Sequence, residues 1–432
     1  MEQERPKIEQ LAEQQKDWVW QLCNAVRTAE QLGNRFNFTP DEKDKVAEVL
    51  KETRASITPY LLSLIETDKN GRIVENDPIW LQYGPSEFEG QLLESETSWE
   101  KPEEMFADGL TDEERAKLKP EAREYLGQHK YPDKVVVRVA HHCGSYCRFC
   151  YERGRTLENA KMANLSRARE QAVEYLQKHP EIREVILTGG DPLALADNVL
   201  EDWLKRFSEV ETIDSLRIHT RMPAQNPYRI TPELVEMFKK YGIRWVNVQV
   251  NHPRELTDDL LSRLKLLQES GVTVKTENPI IHRINDDPKV LAEFIRTCRA
   301  HGIQNHHWFH SMPVTPENMR VSVERAVLLF QAVQKELGGI RWNTSELGDL
   351  VIPHHDGKRT VPFEEITIDP AKPREEWGTN KFQFTTDKDG KPIVQFTSWN
   401  PNSTEWQEYL DPHVDLENLQ NSDFADLLKT QK

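Results

Sequence analysis

An α/β protein built on a partial (β/α)6 barrel is the fold that this sequence predicts, and three observations predict it. From Tyr131 onward, strand-like and helix-like stretches alternate, which argues for a parallel sheet flanked by helices, open or curled into a barrel. A cysteine-rich loop follows the first of these strands, at the carboxyl end where α/β folds place their chemistry. Later strands also end in polar residues, as one site at a barrel mouth requires.

The elements follow in order. Residues 9–65 are helical by pattern: Trp18, Leu22, Val26 and Leu32 fall near a 3.6 period, and Pro40 opens a second helix through Val46, Val49 and Leu50. Residues 66–128 are acidic and poor in strand formers, interrupted by Pro78, Pro85, Pro102 and Pro120, and read as an arm of short helices. The expected strands are 135–140, 184–188, 215–220, 244–251, 273–279 and 306–312. The helices between and after them are 166–178, 200–207, 232–240, 258–270, 290–301 and 321–337. Six units make a partial barrel rather than a closed eight. Past Gly339, residues 381–386 and 392–397 alternate around the turn Asp387–Lys391, a hairpin signal, and the chain from Asp411 reads as weakly ordered. Three domains follow: a helical arm over 1–128, the barrel over 129–338, and a C-terminal extension over 339–432.

Composition narrows the function. The 432 residues carry 56 Lys and Arg against 72 Asp and Glu, a net charge of −16, which disfavours a nucleic-acid or anionic-membrane partner. The 11 Trp, 15 Phe and 10 Tyr, spread along the chain, argue for a packed core. No apolar run is long enough to cross a membrane, and the first residues carry no signal-peptide pattern, so a cytoplasmic protein is expected. Three of the five cysteines lie within eight residues, which suits a metal site better than a disulfide framework.

That cluster, Cys143-Gly144-Ser145-Tyr146-Cys147-Arg148-Phe149-Cys150, lets one loop offer three thiolates. Three thiolates on a [4Fe–4S] cluster leave one iron open for another ligand. The alternative is a structural zinc site with His141, His142 or Cys298 as the fourth ligand. Thr188-Gly189-Gly190-Asp191, Thr220-Arg221 and Asn251-His252-Pro253 end the next three strands. Paired glycines let a backbone come close to a ligand, although Asp191 could equally cap a tight turn.

The C-x3-C-x2-C loop after the first strand resembles the radical S-adenosylmethionine enzymes. Further stretches narrow the resemblance to the lysine 2,3-aminomutase family: Ile57-Thr58-Pro59-Tyr60, Tyr131-Pro132-Asp133, Thr188-Gly189-Gly190-Asp191, Thr220-Arg221-Met222-Pro223, Arg229–Val235 and Asn251-His252-Pro253. The likeness runs from about Asp17 to about Asn402. It implies a [4Fe–4S] cluster on Cys143, Cys147 and Cys150, and S-adenosyl-L-methionine contacted by Phe149, Gly189, Gly190, Asp191, Arg221 and His252. It also implies a 5′-deoxyadenosyl radical, an electron donor such as flavodoxin or ferredoxin, and a homo-oligomer. Pyridoxal 5′-phosphate is implied as an imine on Lys358, in His354-His355-Asp356-Gly357-Lys358, with Lys130 and Lys134 where the family holds the phosphate with arginines. Asp389-Gly390-Lys391 repeats the lysine turn further along.

Departures point away from lysine as substrate. Glu152 stands where the family clamps the substrate carboxylate with an arginine, with Arg153 and Arg155 following, and two carboxylates there would repel. Met312 and Val351 stand where the family carries acids for the distal ammonium. The late histidines, His306, His307, His310, His354 and His355, could line the mouth, with His310 inward if its strand runs from 306 to 312. No cysteine follows Cys298, so no C-terminal zinc site is expected. The expected reaction is a 1,2-amino shift on an amino acid or related amine other than lysine. The alternatives are the same scaffold without pyridoxal phosphate, working as an epimerase or dehydrogenase, and a metal-stapled binding protein.

Overall fold

The computed structural model describes residues 11–90, 126–150, 152, 165–310, 315–338, 344–354, 357–398 and 404–411. The arm holds α1 (Trp18–Cys23), α2 (Ala29–Phe36), α3 (Pro40–Glu52), α4 (Pro59–Leu64) and α5 (Pro78–Tyr83). Its helix starts are written in the sequence: Thr28, Thr39, Thr58 and Asp77 each accept from a backbone N–H of the first turn, and Pro40, Pro59 and Pro78 open helices.

The barrel begins with β1 (Leu126–Tyr131) and β2 (Lys134–Ala140). It continues through α6 (Leu165–Lys178), β3 (Glu184–Gly189), α7 (Asp197–Ser208), β4 (Ser215–Thr220), α8 (Met222–Gln225), α9 (Pro232–Lys240), β5 (Trp245–Val248), α10 (Asp258–Glu269), β6 (Thr273–Pro279), α11 (Pro288–Ala300), β7 (Gln304–Phe309) and α12 (Val323–Leu337). Then come β8 (Asp349–His354) and β9 (Gly357–Thr360). All nine strands form one sheet in sequence order. Strands β2 to β8 are parallel, and β1 and β9 add antiparallel edges. A separate antiparallel sheet holds β10 (Phe382–Thr386), β11 (Pro392–Thr397) and β12 (Trp406–Leu410).

Alternation along the strands sorts the side chains. One face sends Val135, Val137, Val139, Val185, Leu187, Leu216, Ile218, Val246, Val248, Val274, Trp308, Leu350 and Ile352 into the core shared with the helices. The opposite face, which lines the lumen, carries polar residues: Arg138, Glu184, Arg217, His219, Asn247, Lys275, Glu277, His307 and Asp349. The two edge strands meet through side chains. Lys130 Nζ donates to the His354 carbonyl at 2.8 Å, and the Lys358 N–H donates to the Tyr131 hydroxyl at 2.7 Å.

The sheet therefore differs from six plain units. The strand expected over 306–312 stops at Phe309, and the 244–251 strand narrows to Trp245–Val248, past which the Val250 and Asn251 N–H groups bond the side chains of Asn278 and Glu255 instead of a neighbouring strand. The parallel sheet also runs past Gly339 into β8, whose Pro353 obscured the strand pattern. Asp411 is fully buried rather than part of a loose tail, because Arg374 and the Val323 N–H both bond its carboxylate; residues 412–432 lie outside the described ones.

Candidate active site

The cysteine loop leaves β2 and turns back under neighbouring strand ends. Its root lies against the turn after β3: Gly190 N donates to the Ala140 carbonyl and Asp191 N to the His142 carbonyl, at 2.6 and 2.9 Å. Gly189 has φ +119°, and a Cβ on Gly190 would stand 2.4 Å from the His142 carbonyl oxygen. The two glycines thus make room for the loop's own backbone. From α8, Gln225 clasps the loop, with Nε2 donating to the Ser145 carbonyl at 3.0 Å and Oε1 accepting from Ser145 N at 3.1 Å. The same Nε2 lies 3.7 Å from Cys147 Sγ.

None of the five cysteines forms a disulfide. Burial, then Asp191 and the thiols of Cys150 and Cys147, push the Cys143 thiol well above its ordinary value. Burial likewise raises Cys147, against the pull of Arg221. Phe149 is buried beside them, and the Arg221 guanidinium lies 4.9 Å from its ring.

Asp191 is saturated. One oxygen accepts from Thr220 Oγ1 and Leu193 N, and the other from Arg221 N and Met222 N, all at 2.7–2.9 Å. It braces the ends of β3 and β4, as the capped-turn alternative expects. Burial nonetheless raises its pKa, with those four donors working against it.

Arg221 is the hinge between barrel and arm. Its Nε donates to Tyr83 Oη at 2.7 Å, and its Nη2 donates to Gln82 Oε1 and to Glu255 Oε1 at 2.5 and 2.9 Å. Its Nη1 is buried with no hydrogen-bond partner among the described residues. Glu255, also fully buried, accepts from the backbone of Asn251 and His252. His252 Nδ1 accepts from Arg254 N at 3.1 Å, and burial with the nearby Arg254 charge pushes this imidazole down to about 3. The arm thus reaches the site: Gln82 bonds Arg221, Asn251 and Glu255, and its carbonyl accepts from Arg148 N in the cysteine loop. Sequence reasoning missed Gln82, Tyr83, Gln225 and Glu255, whose contacts include partners 80, 138 and 173 residues away along the chain. The Asp77-Pro78 helix start was the one available hint for the first two.

Lys358 lies on β9 opposite Pro353, on the lumen face. Its Nζ is 2.8 Å from Glu277 Oε1 and 4.6 Å from the centre of the Phe309 ring. Glu277 Oε2 is also 2.9 Å from His219 Nδ1 and 3.1 Å from Asn247 Nδ2. Burial opposes its ionisation, but Lys358 and His219 overcome that and hold it well below the usual carboxylate range. Lys130 reaches the His354 carbonyl next to this strand, whereas Lys134 lies 3.8 Å from Glu184. Lys391 lies in the turn between β10 and β11, outside the barrel sheet.

Glu152 is buried and accepts from Arg138 Nη2 and Nε at 2.9 and 3.2 Å, so its charge is answered from β2. Val351 is buried on β8 and pairs with Phe309. Met312, Arg153, Arg155, His355 and Asp356 lie outside the described residues. The late histidines divide. His306 and His307 enter the lumen, whereas His310 does not point inward: its strand has ended and its Nδ1 meets Tyr409 Oη at 2.9 Å. His354 packs its ring on Phe396.

Comparison with known proteins gives a concordant result. The model of the radical SAM superfamily matches residues 137–323. The chain is 30% identical to the L-lysine 2,3-aminomutase of Acetoanaerobium sticklandii over 75% of its length and 73% of that protein. It is 29% identical to the L-lysine 2,3-aminomutase of Clostridium subterminale over the same shares. It is also 30% identical to the glutamate 2,3-aminomutase of Clostridioides difficile, over 64% of this chain and 61% of that one.

Proposed function

The chain belongs to the radical SAM superfamily and, within it, to the lysine 2,3-aminomutase family, and from that premise we propose a radical isomerase that moves an amino group between adjacent carbons. Its substrate is an amino acid or related amine other than lysine. The observation that carries this reading is Lys358: an amine on the lumen face of β9, in the same barrel whose first parallel strand leads into the cysteine loop.

The residues fit the groups that such a reaction uses. Cys143, Cys147 and Cys150 would hold a [4Fe–4S] cluster, and Gln225 would orient Cys147. The Nη1 of Arg221, buried near Cys147 and without a hydrogen-bond partner among the described residues, suits an anionic group of S-adenosylmethionine, with His252 on the same rim. When bound, the cluster and S-adenosylmethionine would supply the carbon-radical chemistry for hydrogen abstraction. Lys358 would anchor pyridoxal phosphate, with Lys130 and Lys134 for its phosphate; its π-system would spread the unpaired electron during the shift. Glu277 stays ionised and orients the Lys358 amine, and Phe149 and Tyr83 keep water from the mouth.

Exclusion of lysine rests on Val351, where the family carries an acid: its buried apolar side chain offers no charge to a distal ammonium. The second reading, hydrogen abstraction without pyridoxal phosphate, is favoured by one observation: Lys358 is already committed to Glu277. Loading full-length protein with pyridoxal phosphate, reducing with borohydride and mapping the labelled peptide separates them. The amino-shift reading expects the label on Lys358 and none in Lys358→Ala. Label on Lys391 alone, or none, supports the second reading.

A further inference from the structure

The register of β6 against β7 changes within two residues. Thr276 pairs with Asn305, but Glu277 pairs with His307, so His306 is an extra residue in a bulge. Without the bulge, consecutive histidines would face opposite sides of the sheet. With it both enter the lumen, their rings stacked with centroids 3.8 Å apart and planes at 22°. One ligand atom from each of Glu277, His306 and His307 lies within 4.8 Å of the others.

The geometry points to a divalent transition-metal site on Glu277, His306 and His307, in the lumen and separate from the cysteine loop. Two imidazoles and one carboxylate are a ligand set for zinc or another first-row metal, and three protein ligands leave positions open to a small amine or carboxylate. Bonds of about 2.0–2.2 Å would draw these three atoms in from their present spacing. Outer partners are in place: His219 Nδ1 lies 2.9 Å from Glu277 Oε2, and Asp349 Oδ2 lies 3.9 Å from His307 Nδ1, which has no hydrogen-bond partner among the described residues. The Lys358 ammonium, 2.8 Å from Glu277, competes with the ion for that carboxylate. Metal and ammonium therefore bind in opposition, and occupancy of the site releases the Lys358 amine. The site goes beyond the amino-shift reading and does not depend on it.

Full-length protein carrying its cluster is titrated anaerobically with Zn2+ alone, followed by calorimetry, and zinc is then counted apart from iron by elemental analysis. One zinc per chain is expected. Loss of an outer partner costs 10–100-fold in metal affinity, so His306→Ala and His307→Ala should each weaken binding by about 100-fold or more. Lys358→Ala should tighten it. Circular dichroism shows whether the variants are folded, and His306→Gln and His307→Gln, which keep most of the side-chain volume, serve where alanine does not fold. Zinc bound equally well by these variants, no zinc on the parent protein, or weaker binding in Lys358→Ala would overturn the inference. None of these outcomes bears on whether Lys358 takes pyridoxal phosphate.

Discussion

At the residue scale, the site depends on small groups that leave no slack. Gly190 is the sharpest case: a methyl there meets the backbone of His142 at 2.4 and 2.6 Å, and backbone cannot swing aside as a side chain can. Gly190→Ala should cost about 1–3 kcal/mol and displace the root of the cysteine loop. The expected readouts are a lower melting temperature and less iron bound per chain after reconstitution; full iron loading would contradict the account. His252 makes a pH prediction. Its imidazole is held near 3 by burial and Arg254, whereas an unfolded histidine titrates near 6.5. The native state thus binds fewer protons than the unfolded state between those values. Its contribution to stability is full above about pH 6.5 and falls by about 1.4 kcal/mol per unit as pH drops through the window. Urea unfolding across roughly pH 6 to pH 4 should show a slope flatter by that amount in His252→Gln.

At the scale of elements, the arm behaves as one wall of the site. Helix α5 sends Gln82 and Tyr83 to Arg221, and Thr58 at the start of α4 donates to the Gln225 carbonyl at 2.6 Å. Ser56 reaches the cysteine loop itself, at the Gly144 carbonyl, at 2.8 Å. Gln82→Ala would strand buried donors on Arg221 and Asn251, a loss of about 1–3 kcal/mol. It should also weaken S-adenosylmethionine binding, because Arg221 loses its orientation. Equilibrium binding and thermal melts measured together check this, and a melt lowered without any change in binding would make Gln82 purely structural. Much of the barrel was legible beforehand, since β2 to β7 and the helices between them follow hydrophobic period and caps. Strand β1 was not, because Leu126-Gly127-Gln128-His129-Lys130-Tyr131 has no β-branched residue and pairs only as an edge. The cysteines and strand-end motifs were legible because local spacing encodes them. Gln82, Gln225 and the bulge at His306 were not, since tertiary pairing alone gives them meaning.

For the whole molecule, one sheet serves two purposes through the alternation of its side chains. Its outer face is apolar and is covered by helices, while its inner face is a charged lumen closed along the seam by Lys130 and Tyr131. Above that lumen the strand ends and the arm converge on the loop that carries the three cysteines. Everything proposed for the reaction requires those thiols to carry a redox-active cluster over a lumen that presents substrate. The most direct test is to reconstitute the full chain anaerobically with iron and sulfide, add S-adenosylmethionine and a strong reductant, and quantify 5′-deoxyadenosine and methionine. Formation of both is predicted for the parent protein, with loss in each of Cys143→Ala, Cys147→Ala and Cys150→Ala. Cleavage that persists in those variants, or a reconstituted parent that yields neither product, would contradict the account.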